Sequence, residues 1–417
     1  MVAHKIVSET RKKKSSLNLN NTNNRYSDRM TIKIRKKIIL LLKIIICFQM
    51  IITVSSNLKQ YRQISSHSSY INLTIVQKGY QTFLGSNFQF CPDEVYVNNK
   101  KQTGEICKEV NLSSKKNNQM QLVFFNNINN TDNMFNDLTN ITIIDLSQFD
   151  FSLVTSMNNM FSNCKDLKTL IISDINTSSV TSMDYMFQNC ESLTSIDLTN
   201  FQTAKVTSMK GMFSSCILIK SLDLSNLNTA LVKNMESMFS NCTLLTSLDL
   251  STFDTSSVTS MKEMFENGNF ISLDLSNFNT TNVNIMSYMF SGCSNLQDLK
   301  ISNFDTLKVS TMTSMFYFCS SLTSLDITNF DTSQVTSMSS MFHNCKGLLS
   351  LDLSHFVTST VNTMYYMFNN CEQLTSSNIL NFDTSKVKNM KGMFYQNFKL
   401  KYLDLSNFNF SSATNIQ

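Results

Sequence analysis

From residue 131 onward, apolar positions repeat along the chain with one period. The pair Met-Phe recurs every 26 residues, with a single interval of 25 between Met264 and Met289. A period of this length, sustained over many copies, predicts a solenoid in which each repeat forms one coil packed against its neighbours. Eleven coils are predicted, marked by Met134, Met160, Met186, Met212, Met238, Met264, Met289, Met315, Met341, Met367 and Met393.

Each repeat has two halves whose apolar residues follow different periods. In the first half, Ile196 and Leu198 are separated by one polar residue, which predicts a short strand. In the second half, apolar residues follow Val180 at offsets of 3, 6, 7 and 10, and these positions share an arc of about 120° on a helix. The sequence therefore predicts an α/β solenoid of about eleven coils, with a parallel sheet on one face and short helices on the other.

The repeat unit resembles a known family. Residues 322–345 read LTSLDITNFDTSQVTSMSSMFHNC. This unit is similar to the BspA-type leucine-rich repeat of bacterial and protist surface proteins, a repeat also found in mycoplasma surface lipoproteins. The resemblance runs from Thr131 to Phe410 and implies a cell-surface protein that binds other molecules through its repeats, often as an adhesin, without catalysing a reaction. Ordinary repeats of this class carry Asn or Cys after the strand, whereas here a Phe spine is predicted at Phe201, Phe253, Phe278, Phe304, Phe330, Phe356, Phe382 and Phe408.

The composition argues against an enzyme. The chain has 8 Gly and 4 His, and it contains no phosphate-binding glycine motif, no HExxH and no CxxC. We therefore predict no catalytic residue, no metal site and no cofactor.

One Cys per coil gives a column of side chains that cannot converge on a metal, so a buried apolar column is expected, with a redox role as the alternative. The column comprises Cys164, Cys190, Cys216, Cys242, Cys293, Cys319, Cys345 and Cys371.

An aspartate recurs at the outward position of the predicted strands. Such a column would form an acidic recognition face for a cation, a basic protein segment or a glycan. Alternatively, each carboxylate only accepts hydrogen bonds from neighbouring hydroxyls and keeps the face soluble. Asp298 and Lys300 reverse the charge pattern in one coil, which makes that coil the expected specificity site. The column comprises Asp145, Asp197, Asp223, Asp249, Asp274, Asp326, Asp352 and Asp404, and it is interrupted at Ile171, Lys300 and Asn378.

The basic charge of the chain is concentrated at its start. Residues 1–37 hold 11 Lys or Arg and 2 acidic residues, so the remaining chain holds 24 basic and 28 acidic side chains. The formal net charge of +5 thus reflects this tail. Because nucleic-acid binding needs a basic face on the folded part, no nucleic-acid partner is expected.

An apolar run of 17 residues follows the tail, at residues 38–54. It is short for a membrane-spanning helix and long for a signal-peptide core, so a signal-anchor and a cleaved signal both remain open, with a buried soluble helix as the third alternative. If translation starts at Met30, the first residues lie upstream of the protein. The positive-inside rule places everything after Ser55 outside the cytosol, on a single-pass membrane protein or a secreted one.

Residues 55–130 lack the period and are predicted to form a small β-rich cap on the solenoid of residues 131–417. Its β-rich stretches are residues 71–76, 94–97 and 120–125. Cys91 and Cys107 are the two cysteines of the cap. In an extracytosolic compartment they are expected to form a disulfide, with two buried free thiols as the alternative.

Two functions of different classes follow. The favoured one is a surface recognition or adhesion protein that binds an extracellular protein or glycan. The alternative is a structural coat protein that assembles through the edges of its solenoid. No separate cap precedes Gln417, so the last coil is expected to present an open edge for self-association. N-glycosylation patterns in the predicted exterior region occur at Asn72, Asn111, Asn129, Asn140, Asn176, Asn279 and Asn409.

Overall fold

The computed structural model describes residues 68–113, 117–173 and 175–416. The predicted basic tail and the apolar run 38–54 lie outside these residues. Within the described part of the chain, no helix is long and apolar enough to cross a membrane. The strands are β1 (Ser69–Ile75), β2 (Gly79–Thr82), β3 (Glu94–Val97), β4 (Lys100–Lys101), β5 (Glu109–Leu112), β6 (Asn118–Phe124), β7 (Ile141–Asp145), β8 (Thr169–Ile171), β9 (Ser272–Asp274), β10 (Asp298–Lys300), β11 (Ser350–Asp352) and β12 (Ser376–Asn378).

The N-terminal region is built on a six-stranded sheet with the order β4-β3-β6-β1-β7-β8. Strand β1 is antiparallel to both β6 and β7, whereas β7 and β8 are parallel. Ile71, Leu73 and Ile75 alternate into the core and are at most 1% exposed. Because β7 belongs to the first coil, the antiparallel sheet continues directly into the solenoid and covers its first coil. A disulfide joins Cys91 to Cys107, with 4.6 Å between their Cα atoms.

In the coils, equivalent residues lie opposite one another in parallel register. Leu273 of β9 pairs with Leu299 of β10, and Leu351 of β11 pairs with Ser377 of β12. The equivalent residues 195–197, 221–223, 247–249, 324–326 and 402–404 form no strand, so the predicted sheet is present only in patches. A second column of parallel bridges runs from Ser156–Ser182 to Asn389–Asn415. We number the coils 1 to 11 by their Met-Phe pair.

The prediction of short helices is wrong, because no helix occurs in the described coils. The segment around each Met-Phe pair is instead a chain of tight turns. The N–H of Phe187 donates to Met212 O in the next coil at 2.9 Å, whereas the N–H of Met186 donates three residues back, to Met183 O, at 3.3 Å. Residues with positive φ, such as Asn189 at 55°, interrupt each segment. Positive φ lies outside the right-handed helical region, so a continuous helix cannot form.

The turns place the Met-Phe pairs and the Val and Cys of each coil in one continuous core. Phe rings of successive Met-Phe pairs stack face to face, with centroids 5.4–6.0 Å apart and interplanar angles of 1–11°. This stack runs along a different set of phenylalanines from the predicted spine. Members of the predicted spine from Phe201 to Phe382 are buried as well, at 1–3% exposure.

A buried threonine two residues after the predicted spine position joins each turn to the next coil. The hydroxyl of Thr332 donates to Val357 O at 2.9 Å and accepts the N–H of Val357 at 2.8 Å. Both polar groups of one backbone residue are therefore satisfied by one side chain. The same pair of hydrogen bonds is made by Thr177, Thr255, Thr280 and Thr384.

The eight repeat cysteines are free and buried. Each thiol lies 3.0–3.2 Å from the carbonyl oxygen of the Phe in the Met-Phe pair of the preceding coil and donates to it. Burial raises the pKa of these thiols, to about 12 for Cys242 and Cys371. The column is therefore a set of neutral donors that tie neighbouring coils together.

Coil 6 contains the 25-residue interval, and it has Gly268 where most coils have the buried cysteine. The side chain of Phe270 packs beside this position. Phe270 is fully buried and packs edge-on against Phe265, with centroids 5.8 Å apart. A Cβ atom on Gly268 would lie only 2.2 Å from the Phe270 ring. The N–H of Phe265 still donates to Met289 O at 3.0 Å. The hydrogen bonds between coils therefore continue across the deletion.

Candidate functional site

The aspartate column lies on the outward surface of the strand positions. Asp223 is typical, since its Oδ1 accepts the N–H of Ser225 at 3.1 Å and the Ser225 hydroxyl at 2.6 Å. Each aspartate thereby fixes the turn that follows its strand, which is the local role expected of Asp two residues before a turn N–H. The same backbone contact is made by Asp145, Asp197, Asp249, Asp274, Asp326, Asp352 and Asp404.

Hydrogen bonding lowers the pKa of several of these carboxylates. The contacts from Ser225 lower the pKa of Asp223, even though the neighbouring charge of Asp249 acts in the opposite direction. The pKa values of Asp197, Asp326 and Asp352 are lowered by the same kind of hydrogen bond. Repulsion along the column is therefore offset locally, within each turn. The second carboxylate oxygen of Asp223 is left on an exposed surface.

The predicted specificity coil contains a cross-coil ion pair. Lys300 lies opposite Asp274 in the parallel register of β9 and β10, and its Nζ is 2.8 Å from Asp274 Oδ2. Lys300 is the main cause of the strongly lowered pKa of Asp274. Asp298 lies opposite Ser272 in the same strand pair. The structure therefore brings Asp274, Asp298 and Lys300 together, with one positive charge inside an otherwise acidic column.

The ends of the column differ from its middle. Asp145 is half-buried and lies opposite Asn72 of β1, inside the N-terminal sheet. Asp404 in the last coil is also half-buried. Between them, Asp197, Asp223, Asp249, Asp274, Asp298, Lys300, Asp326 and Asp352 are exposed. The accessible part of the predicted face thus spans coils 3 to 9.

Five residues further along the repeat, several coils carry a second aspartate that makes the same turn contact. Asp254 Oδ1 accepts the N–H of Ser256 at 2.9 Å, and Asp331 Oδ1 accepts the N–H of Ser333 at 2.8 Å. Asn279 plays the same part in coil 6. Within the described residues, no group of three or more His, Cys, Asp or Glu side chains is arranged to hold a metal ion.

A cluster of aromatic side chains was not predicted from the sequence. It lies on the turn face, which we define as the two residues before and the two residues after each Met-Phe pair. Ring centroids are 5.3 Å apart for Tyr317 and Phe318, 5.1 Å for Tyr317 and His343, 5.4 Å for His343 and Tyr366, and 4.1 Å for Tyr365 and Tyr366. We call these five residues the aromatic cluster. One feature of the sequence could have revealed the cluster: its aromatic residues occupy repeat positions that hold polar residues in most other coils.

The two repeat histidines have different surroundings. His343 belongs to the aromatic cluster, and partial burial lowers its pKa. His355 occupies a position that holds Asn in several other coils. Its Nε2 lies 2.9 Å from Ile327 O, and at the equivalent position the Nδ2 of Asn303 donates to Leu275 O at 3.3 Å. His355 therefore replaces a structural asparagine.

Comparisons with known proteins place the repeats in a family. The family model described as "Mycoplasma protein of unknown function, DUF285" matches residues 129–247, 218–324, 269–376 and 312–417, together more than two thirds of the chain. This match confirms the resemblance drawn from the repeat unit.

Two solved structures are similar to the chain at low identity. A leucine-rich repeat protein from Eubacterium ventriosum is 19% identical over 64% of this chain and 80% of that chain, with a TM-score of 0.38. The TLR13–ssRNA13 complex is 12% identical over 66% of this chain and 62% of that chain, with a TM-score of 0.13. No curated protein matches the chain.

Proposed function

Because the chain belongs to the DUF285 family, and because its strand surface carries exposed carboxylates in regular order, we propose that it is a non-catalytic recognition protein at the cell surface. Its proposed partner is a basic segment of an extracellular protein. The observation that carries this proposal is the series of exposed aspartates in coils 3 to 9, whose lowered pKa values keep them ionised. Fixed charges at a regular spacing favour a partner with complementary positive charges.

The turn contacts argue for a protein partner over a metal ion. Each aspartate uses one oxygen in its own turn, and successive carboxylates belong to different coils. A hard cation requires about six or more oxygen ligands around one point. A flexible basic segment needs only one charge for every coil or two. Lys300 would fix how such a segment aligns along the aspartate column, because it repels a positive charge placed opposite it.

The test compares two sets of substitutions that remove equal charge. Asp223→Asn, Asp249→Asn and Asp274→Asn together neutralise the strand column, and Asp254→Asn, Asp305→Asn and Asp331→Asn neutralise the second column. Asn keeps the oxygen that accepts the turn N–H, as Asn279 shows. Both variants should be made in a bacterial host, since the changes create Asn-X-Ser patterns. The probe is a ten-residue lysine peptide and, separately, intact cells.

We expect the strand-column variant to bind both probes at least tenfold more weakly, and the second-column variant to bind as the unchanged chain does. Binding should also weaken as salt rises. Equal loss in both variants would mean that net charge alone attracts the peptide, and no loss in either would exclude the strand face.

A coat protein that assembles through coil 11 is the second candidate. One observation favours it: Phe394, Leu405, Phe408 and Phe410 line an apolar groove of about 440 Å³. Sedimentation of the purified chain across a hundredfold concentration range tests this candidate. A monomer throughout would exclude it.

A further inference from the structure

The aromatic cluster of coils 8 to 10 is a place where the repeat departs from its own rules. The third residue after the Met of each Met-Phe pair has positive φ. This residue is Asn, Ser, Gly, Asp or Gln in the other coils, and it is Phe318 in coil 8. Phe318 adopts φ of 60° and is nevertheless 40% exposed. A bulky residue in this conformation is strained, and its exposure means that burial does not compensate. Tyr185 and Tyr288 also have positive φ, but they precede the Met of their pair, whereas Phe318 is the aromatic residue at the position after it.

The cluster is also uncharged, in contrast to the same face of earlier coils. The turn face of coils 4 to 6 carries ion pairs such as Lys210–Glu236, at 2.7 Å. In coils 8 to 10 this face carries no Asp, Glu, Lys or Arg; its residues are Thr313, Ser314, Tyr317, Phe318, Ser339, Ser340, His343, Asn344, Tyr365, Tyr366, Asn369 and Asn370.

Protonation does not introduce charge near neutral pH. Partial burial lowers the pKa of His343, so its imidazole is neutral. Desolvation, followed by its contact with Tyr366, raises the pKa of Tyr365, so its phenol is neutral as well. Of the charged residues beside the cluster, Lys346 and Glu372 pair with each other at 2.7 Å. Lys391 of coil 11 follows the cluster on the turn face, and its backbone carbonyl accepts the N–H of Tyr366 at 3.0 Å.

We propose that the aromatic cluster binds a neutral saccharide. Aromatic rings offer apolar faces for the C–H surface of a sugar ring, and the tyrosine hydroxyls and the His343 imidazole can exchange hydrogen bonds with sugar hydroxyls. A cationic ligand would also use ring faces, but no carboxylate accompanies them here. The site lies on a different part of the coil from the aspartate column and does not depend on the proposed function.

Size distinguishes a saccharide from a protein partner. Three coils at ~4.8 Å per step place the rings along about 10 to 15 Å. Standard protein interfaces use about 20 to 30 residues on each side. Five rings therefore match two or three sugar units better than a protein surface.

The test uses the full chain from a bacterial host and four neutral oligosaccharides: N-acetyllactosamine, chitotriose, maltotriose and mannotriose. Saturation-transfer NMR detects binding, and titration calorimetry measures affinity. The variants are Phe318→Asn and Tyr366→Ser, since Asn344 and Ser340 occupy these positions in coil 9. The matched control is Tyr185→Asn in coil 3. Tyr185 occupies the same repeat position as Tyr366, and coil 2 has Asn159 at that position.

We expect at least one oligosaccharide to bind, at least tenfold weakening in both cluster variants, and unchanged affinity in the control. The thermal midpoint of Phe318→Asn should not fall, because Asn tolerates positive φ. The proposal is overturned if none of the four binds, or if the cluster variants bind as tightly as the unchanged chain. Cell binding that depends on Phe318 without saccharide binding would assign the cluster to a protein partner and also overturn it.

Discussion

At the residue scale, two buried side chains link each coil to its neighbour by hydrogen bonds. Thr332 contacts both backbone polar groups of Val357, and Cys345 donates its thiol hydrogen to Phe316 O at 3.1 Å. The threonine is a strong donor and acceptor, whereas a thiol is a weak donor. The threonine contact should therefore contribute more to stability than the thiol contact does.

Replacing Thr332 with Val should lower the free energy of unfolding by about 1–3 kcal/mol, because it leaves buried backbone polar groups without a partner. Val has nearly the shape of Thr, so the change isolates the hydroxyl. Thr332→Ser keeps the hydroxyl and is the control, with an expected smaller loss. Urea unfolding of the three proteins measures the difference. A Val variant as stable as the Ser variant would show that the hydroxyl does not hold the turn.

The eight repeat thiols should resist alkylation in the folded protein. They are fully buried, and burial raises the pKa of Cys293 to about 12, so almost no reactive thiolate is present near neutral pH. Iodoacetamide without reductant should label all eight after unfolding in guanidinium and none before. Peptide mass spectrometry assigns each site. Disulfide-linked pairs such as Cys190 with Cys216 would contradict this prediction and support a redox role.

At the element scale, the repeat period and the inward residues of each coil were predictable, whereas the backbone path of the second half was not. Val180, Met183, Met186 and Cys190 are buried as predicted. Their spacing in steps of three fits a helix, but it also fits successive three-residue turns that each return one side chain to the core. Apolar spacing alone does not distinguish these two paths. Asn recurring three residues after Met, where a turn with positive φ accepts it readily, was the available signal.

Coil 6 offers a test of packing between two residues. Gly268→Ala should destabilise the protein by about 1–3 kcal/mol, because the added methyl overlaps the Phe270 ring. Phe270→Leu, alone, should leave a cavity and also destabilise. Combining the two changes should cost less than the sum of the single losses, since the smaller side chain makes room for the methyl. Thermal unfolding of all four proteins measures this coupling, and strict additivity would contradict it.

At the scale of the whole molecule, the candidate face was predictable because it follows the period, and the aromatic cluster was missed because it breaks the period. In most coils the aspartate stands between two apolar residues that point inward, so Asp223 could be placed outward from sequence alone. Tyr317 and Tyr366 are 49 residues apart, and their shared contact with His343 depends on how turns stack. Such proximity follows only from the path of the backbone between coils.

Acid should destabilise the solenoid in a defined pH range. The folded-state pKa values of Asp197, Asp223, Asp249, Asp326 and Asp352 are lowered by turn hydrogen bonds. Their contribution to the free energy of unfolding is therefore complete above the unfolded-state pKa of about 3.9. It is lost as the pH falls through the lower folded-state pKa values. The thermal midpoint should stay level from pH 7 to 5 and fall below pH 4. The variant with Asn at three strand positions should show a smaller fall, and an equal fall would contradict this assignment.

The orientation of the chain in the cell envelope is the last prediction. By the positive-inside rule, the concentration of basic residues before the apolar run 38–54 predicts that the repeats lie outside the cytosol, and the Cys91–Cys107 disulfide agrees with an oxidising compartment. A membrane-impermeant amine reagent should therefore label the exposed side chains of Lys205 and Lys386 on intact cells. Tail lysines such as Lys36 serve as the internal control, because they should react only after permeabilisation, or be missing if the segment is cleaved. Labelling of the repeats only in permeabilised cells would place them in the cytosol and exclude a surface role.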